Sequence, residues 1–215
     1  MTDANDAVLA ILGGTGDQGR GLARQFARAG NRVIIGSRSP ERAAAAAADL
    51  GVEGATNADA AIAADVIIAA VPYDGHADLL AGLREELRGK ILVDCVNPLG
   101  FDERGPYPIR VPEGSAAEQA AAILPDTMVV AAFHHVSAKL LEDPEVASFD
   151  LDVLVLGEDR AATDLVRSLA ARIPGMRGIY AGRLRNAGQV EAFTANLIAI
   201  NRRYKAHAGI RVTDV

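Results

Sequence analysis

Short apolar runs alternate with amphipathic stretches along most of this chain, in a strand-then-helix rhythm. Val8-Leu9-Ala10-Ile11-Leu12 has strand length, and the stretch after it puts Leu22, Phe26 and Ala27 on one helical face. A second strand follows at Arg32–Gly36. Pro40–Leu50 then reads as a helix, with Ser39 as N-cap and proline in its first turn. The alanine run 43–48 within it predicts tight helix-to-sheet packing. Val52–Ala55 is a short third strand, and Asn57 or Asp59 caps a short helix reaching Ala64. Asp65–Val71 is a nearly continuous apolar strand that stops at Pro72, as expected in a parallel sheet covered on both faces. Next come a helix at Leu79–Leu87, a strand at Lys90–Cys95 and a Pro- and Gly-rich irregular stretch, Asn97–Glu113. Loops of that length are usually functional or disordered. The capping box Ser115–Glu118 opens a helix to Leu124. Strands at Thr127–Phe133, Leu151–Leu156 and Arg177–Tyr180 and helices at Asp159–Ile173 and Asn186–Tyr204 complete the pattern. No segment repeats at a fixed period.

The first β-α-β unit carries the clearest chemistry. Gly14-Thr15-Gly16-Asp17-Gln18-Gly19 fits G-x-G-x-x-G between a strand and a helix, the context a dinucleotide site requires. Gly14 is expected to permit the tight turn, Gly16 to admit a pyrophosphate against the backbone, and Gly19 to let helix and strand pack closely. The helix N-terminus offers free N–H groups to the phosphates. The fold expected is α/β: a Rossmann-like, doubly wound, mostly parallel sheet with a small C-terminal helical portion. Residues 1–150 form the nucleotide-binding domain and 151–215 a smaller part. NAD-binding chains place Asp or Glu about 20 residues on, to hold the ribose 2′-hydroxyl. Here the second strand ends Gly36-Ser37-Arg38, with no acid before Glu41. A hydroxyl and a guanidinium suit a 2′-phosphate, so the cofactor expected is NADP(H). Arg42, one turn on, can stack on adenine or add charge; the plain alternative for Arg38 is a solvated loop residue. Val71 and Pro72, leaving a strand's carboxyl end, are expected to line the ribose and nicotinamide half.

Composition narrows the class. The chain has 215 residues and a formal net charge of −6, which argues against a general nucleic-acid binder. The charge is uneven: residues 183–215 hold six basic and two acidic side chains, so a positive tail faces an acidic body. That tail suits an anionic ligand or docking on an acidic neighbour. No apolar run approaches membrane-spanning length, and the polar leader Met1–Asp6 lacks the features of a signal peptide. The single cysteine, Cys95, excludes an internal disulfide, suits a reducing cytoplasm and is expected to pack as a small apolar group.

Several chemistries have no residues to carry them. None of the four tyrosines has lysine four positions on, and no G-x-S-x-G, C-x-x-C or H-E-x-x-H occurs. His134-His135 invites a metal reading. Neighbours in an extended segment point opposite ways, however, and no partner ligand sits at useful spacing, so no metal is expected. His134 is left as a ligand-orienting or a structural residue. A nicotinamide enzyme without an evident acid or base suggests hydride exchange between two redox cofactors held face to face.

The residues LGGTGDQGRGLA, VIIGSR, the strand ending in VP, AAFHHVSA, LGED and AGRLRNAGQVEAFTANLIAIN occur in that order. In this ordered set, over nearly its whole length, the chain resembles the NADPH-dependent coenzyme F420 reductases (F420H2:NADP oxidoreductases). The resemblance implies hydride transfer between NADP(H) and a deazaflavin, a Rossmann-like main domain, a small C-terminal part covering the deazaflavin, and a homodimer. It implies that Thr15, Gly16, Asp17 and Gln18 cradle the NADP pyrophosphate and nicotinamide. Ser37, Arg38 and Arg42 take the 2′-phosphate, Ala138 meets the carboxamide, and His134, Val136 and Thr194 line the deazaflavin pocket. The chain departs from some relatives at Gly188 and Ala192, where they carry a basic residue and a serine, and at Ser137, where they carry proline. The competing readings are an NADPH-dependent reductase of a small carbonyl or imine, and a non-catalytic NADP(H)-sensing module.

Overall fold

The apolar runs become strands whose alternate side chains feed two separate cores. In β1 (Leu9–Leu12), Leu9 and Ile11 join one core, while Ala10 and Leu12 join the other. In β4 (Val66–Ala69), Val66 and Ile68 divide from Ile67 and Ala69 in the same way. Burial on both faces is why these segments show no polar alternation. The computed structural model describes residues 3–215; the first two residues of the leader Met1–Asp6 lie outside it.

The other strands of the main sheet are β2 (Val33–Ser37), β3 (Glu53–Thr56), β5 (Ile91–Asp94), β8 (Met128–Ala131), β9 (Leu151–Gly157) and β10 (Met176–Gly182). Their order is β10-β9-β8-β5-β4-β1-β2-β3 in one eight-stranded sheet. Every neighbouring pair is parallel except β8 with β9. The sheet is doubly wound: β1 lies between β2 and β4, so successive crossovers run in opposite directions from it. Their divergence opens a crevice at the carboxyl ends of β1 and β4.

Local signals set most helix starts. In α1 (Asp17–Arg28), Leu22 and Phe26 are fully buried. In α2 (Pro40–Leu50), Ser39 Oγ accepts from the Arg42 N–H, and the buried Ala43 lies so near β3 that a Cβ on Gly54 would come within 2.7 Å of its carbonyl. Tight packing accounts for Ala43, Ala46 and Ala47, which are buried, while Ala44, Ala45 and Ala48 of the run face solvent. The cap of α3 (Asn57–Ala63) is Thr56, whose Oγ1 accepts from the Asp59 N–H, rather than Asn57 or Asp59. The helix expected at Leu79–Leu87 divides at Gly82 into α4 (His76–Ala81) and α5 (Arg84–Leu87). The stretch expected to be irregular holds a hairpin, β6 (Leu99–Asp102) with β7 (Gly105–Pro108). It packs beside α9 (Ala187–Tyr204). The capping box opens α6 (Ala116–Ile123), with Ser115 Oγ accepting from the Glu118 N–H at 2.9 Å. A short helix that the sequence pattern did not predict, α7 (Ala138–Glu142), lies against α1 where Gly21 leaves room for Leu141. The Gln25 amide donates to the Leu141 carbonyl at 2.7 Å. On the α8 side (Arg160–Arg172), β9 and β10 extend the same sheet.

The antiparallel ladder between β8 and β9 covers only Val130–Ala131 against Leu156–Gly157. Beyond it, the Leu154 N–H donates to His135 Nε2 and the Asp152 N–H to the Ile210 carbonyl of the C-terminal tail. The tail is clamped by the buried Asp152 carboxylate. It accepts from Arg177 at 2.6 and 2.7 Å, from Arg211 at 2.8 Å and from the Val212 N–H at 2.7 Å. The bond from Arg177, with the others, holds the Asp152 pKa far below the usual carboxylate range. Replacing Asp152 with Asn is expected to lower the unfolding free energy at pH 7 by about 2 kcal/mol or more. A depressed carboxylate stabilises only where it stays ionised in the fold. The gap between wild type and variant in urea titrations should therefore be full at pH 7 and shrink below about pH 4.

Candidate active site

The chain turns out of β1 at Gly13, with φ +73°, where a Cβ would lie 2.6 Å from Val71 and 2.7 Å from the Ala70 carbonyl. The tight-turn role expected of Gly14 thus falls to Gly13. Gly14 has no positive φ but is pressed against β2, where a Cβ would be 2.9 Å from Ile35. Gly19 closes the motif as expected: a Cβ there would come within 2.7 Å of Gly14 Cα. Gly16 differs from these. It is exposed, its backbone is ordinary (φ −91°, ψ 164°), and a Cβ would meet nothing nearer than 3.6 Å. No packing within the protein demands glycine at this position, which leaves the backbone open to a ligand's approach. Beside it the N-terminus of α1 has no side-chain cap, which leaves its first amides to an anion.

At the end of β2, Ser37 is buried and its Oγ accepts from the Ser39 N–H at 3.2 Å. Arg38 and Arg42 are exposed, and among the described residues neither has a carboxylate within 4.0 Å. Glu41, the nearest acid in sequence, accepts instead from Ser39 Oγ at 2.6 Å. Asn57 Oδ1 is buried without a partner beside Gly36, where a Cβ would come within 2.8 Å of it. This polar atom at the strand end had no signal in the sequence.

On the other side of β1, between the start of α1 and the ends of β4 and β5, lies a cleft of about 290 Å³ lined by Gly16, Asp17, Gln18, Val71, Pro72 and Asn97, among others. A larger depression of about 440 Å³, walled by Asp3, Arg160 and Ser168, lies on the α8 surface and meets none of the strand ends. Cys95 reaches the cleft's floor but is 5 % exposed and directed at the Ala69 carbonyl, and burial pushes its thiol pKa up. It is packed, not nucleophilic.

Behind two of the cleft's lining residues, Gln18 and Asn97, is a turn, Phe133–Val136, where an extended segment was expected. Phe133 adopts φ +63°, unusual for a bulky residue, and its ring packs edge-on to Phe26 at 5.9 Å. Two side chains from distant elements hold the turn. Gln18 Nε2 donates to the Phe133 carbonyl at 3.2 Å, and Asn97 Nδ2 to the His134 carbonyl at 2.9 Å. Thr194 Oγ1 reaches the same place, 3.2 Å from Asn97 Oδ1. His134 and Thr194 therefore meet directly, with Thr194 Oγ1 3.4 Å from the His134 carbonyl, and also through Asn97, a residue that went unselected in the sequence. Its one signal is the Asn-Pro step ending an apolar strand. Val136 is buried in the core, and Ala138 begins α7, half-buried.

The two histidines have separate settings. His135 Nε2 accepts from Leu154 at 3.3 Å, so the neutral ring carries its proton on Nδ1 and completes the edge of β9. His134 is 3 % exposed with both ring nitrogens unpartnered. Burial above all pulls both pKa values from 6.5 to about 4. Among the described residues no three His, Cys, Asp or Glu side chains converge as metal ligands. What converges is a phosphate seat, two unpaired arginines at the second strand's end and a cleft floored by neutral groups. This arrangement can hold a phosphorylated dinucleotide and shelter a hydride.

The family described as NADP oxidoreductase, coenzyme F420-dependent, matches residues 8–98. The F420-dependent NADP reductase of Methanothermobacter thermautotrophicus is 44 % identical, over 96 % of this chain and 95 % of its own length. The chain belongs to the F420-dependent NADP reductase family. The reductase of that name from Methanocaldococcus jannaschii is 41 % identical over 96 % of this chain and 98 % of its own. A crystal structure of an Arthrobacter protein described as an F420-dependent NADP reductase superposes with a TM-score of 0.84 at 29 % identity. It covers 96 % of this chain and 99 % of that one.

At Gly188 a Cβ would lie 2.6 Å from the Gly114 carbonyl, so a long side chain there requires that loop to move. Ala192 is half-buried beside the hairpin, with Pro106, Tyr107 and Phe193 around it.

Two outcomes test the site. Gly16→Ala should leave stability within about 0.5 kcal/mol of wild type, because its Cβ enters open space, yet sharply weaken NADPH binding in a fluorescence titration. Histidines buried neutral bind protons only when unfolded. Stability in urea should therefore fall as pH drops from about 6.5 toward about 4 and lose that slope below. His135→Gln should reduce the slope.

Proposed function

We infer that this chain catalyses reversible hydride transfer between NADP(H) and coenzyme F420. The observation that carries this is similarity to F420-dependent NADP reductases over almost the whole chain. When bound, the two carriers supply the redox chemistry; the protein binds, orients and keeps out water.

In this reading Gly14–Gly19 form the phosphate seat, with Thr15, Gly16, Asp17 and Gln18 toward the pyrophosphate and nicotinamide. Ser37, Arg38 and Arg42 take the 2′-phosphate, and Arg38 and Arg42 are free to turn to it. Val71 and Pro72 flank the ribose, and Ala138 meets the carboxamide. His134, Val136 and Thr194 belong to the deazaflavin side. His134, buried and neutral, presents no competing charge where a hydride moves, and the reaction calls on no protein acid. The exposed Arg202, Arg203 and Lys205 near the end of α9 suit an anionic partner molecule. Exposed Phe193, Ile200 and Tyr204 on the same helix support a homodimer contact, and a lone buried cysteine is in keeping with a cytoplasmic protein.

Protein, NADPH and F420 mixed together should bleach the deazaflavin's visible absorbance. Absence of bleaching over the whole working pH range, with NADPH-driven turnover of an imine or carbonyl instead, would overturn the reading. Arg38→Ala should weaken NADPH about tenfold to a hundredfold, the loss of charge-assisted bonds to phosphate, and leave NADH unchanged. Equal losses for both would remove Arg38 from the 2′-phosphate.

A further inference from the structure

Beneath the cleft lies a buried polar cluster for which the hydride transfer has no use as such. β5 ends in Asp94, whose side chain is fully buried, as is that of His76 on α4. His76 Nε2 is 2.7 Å from Asp94 Oδ2, and His76 Nδ1 is 3.3 Å from Gln119 Oε1 on α6. Gln119 Nε2 donates to the Glu113 carboxylate at 3.3 Å, which fixes the amide with its oxygen toward His76. Both imidazole nitrogens therefore face acceptors, a pattern that suits a ring carrying both protons. The other Asp94 oxygen accepts from the Val96 N–H at 3.0 Å, which sets the backbone that presents Asn97.

We propose that His76 is a positioning residue. As a buried imidazolium paired with Asp94, it holds the Val96–Asn97 turn, and through Asn97 the His134 carbonyl and the Thr194 hydroxyl on the deazaflavin side. The proposal rests on the F420 reading of the site for its kinetic consequence and on the hydrogen-bond pattern alone for the charge. A buried ion pair persists only when its remaining polar atoms are also satisfied, and here Gln119 and Val96 satisfy them. Other groups face the pair from each element around it. Tyr73, after β4, has its ring centroid 6.4 Å from that of His76. Glu191, on α9, accepts from the Ala116 and Ala117 N–H groups at 2.9 and 3.2 Å. His134 lies across Asp94. Burial pushes the His76 pKa down, but the bonds to Asp94 and Gln119, with the charge of Glu191, outweigh it and the net shift is upward. Burial lifts Glu191 to about 7. The imidazolium is therefore present below about pH 6.5 and is lost as pH rises through its raised value.

The test labels the four histidines with ¹⁵N in the full chain. At pH 6.5 a histidine with both ring nitrogens protonated should be seen, and His76→Gln should remove that signal and shift the Asn97 side-chain amide. Four neutral histidines, or an unmoved Asn97 amide, would overturn the proposal without reference to activity. In F420 reduction, wild-type kcat should fall as pH rises through the NMR transition. His76→Gln should lower kcat about tenfold or more, lose that alkaline limb and keep the NADPH KM. Glu191→Gln should retain the limb. A His76→Gln enzyme that is merely less heat-stable, with wild-type kcat and pH profile, would refute a positioning role. Wild-type protein that shows the imidazolium but no deazaflavin turnover would sink the functional reading and uphold the charge assignment.

Discussion

The close approach of β1's end to β2, to β4 and to the start of α1 is the constraint on which the rest of the molecule depends. Three segments pass where there is room only for backbone: at Gly13 against Val71, at Gly14 against Ile35 and at Gly19 against Gly14. These contacts set the angle at which α1 leaves the sheet and so the direction of its uncapped amides. They also leave Gly16 as the one glycine of the group with open space before it. Steric pressure inside the turn and its absence outside together leave an open, uncapped backbone at the start of α1.

From this junction the site is assembled by side chains that reach across long stretches of sequence. Gln18 from α1, Asn97 from the end of β5 and Thr194 from α9 all converge on the carbonyls of Phe133 and His134. A bulky residue at positive φ persists only where its surroundings over-determine it, and the Phe26 ring and Gln18 amide do so here. The turn behind the cleft is therefore held from three distant elements at once.

How much was legible followed from how local each cause is. The glycine motif, the Ser39 and Ser115 caps and the doubly buried strands are written in residues a few positions apart, and the strand order follows once alternation with helices is seen. The Gly36-Ser37-Arg38 ending was legible for the same reason. The hairpin was hidden because its strands carry Gly100, Gly105, Pro106 and Pro108 and no apolar alternation; it forms because Tyr107 covers Gly100 across the ladder. Helix α7 was too short to show a period, and its position depends on Gly21 and Gln25 more than a hundred residues away. Asn97 escaped notice because its partners lie 37 and 97 residues on. His134 and His135 look alike in sequence, and only the short β8–β9 ladder, which needs one of them as an acceptor, tells them apart.

That ladder bears on how the molecule is made. Ile210, five residues from the last one, supplies the acceptor for a donor of β9 that β8 does not reach, and Arg211 and Val212 complete the shell around Asp152. During synthesis β9 emerges more than fifty residues before them. Until those later residues arrive, a strand edge and a buried carboxylate remain partly bare, so the far half of the sheet locks well after its own strands have been made.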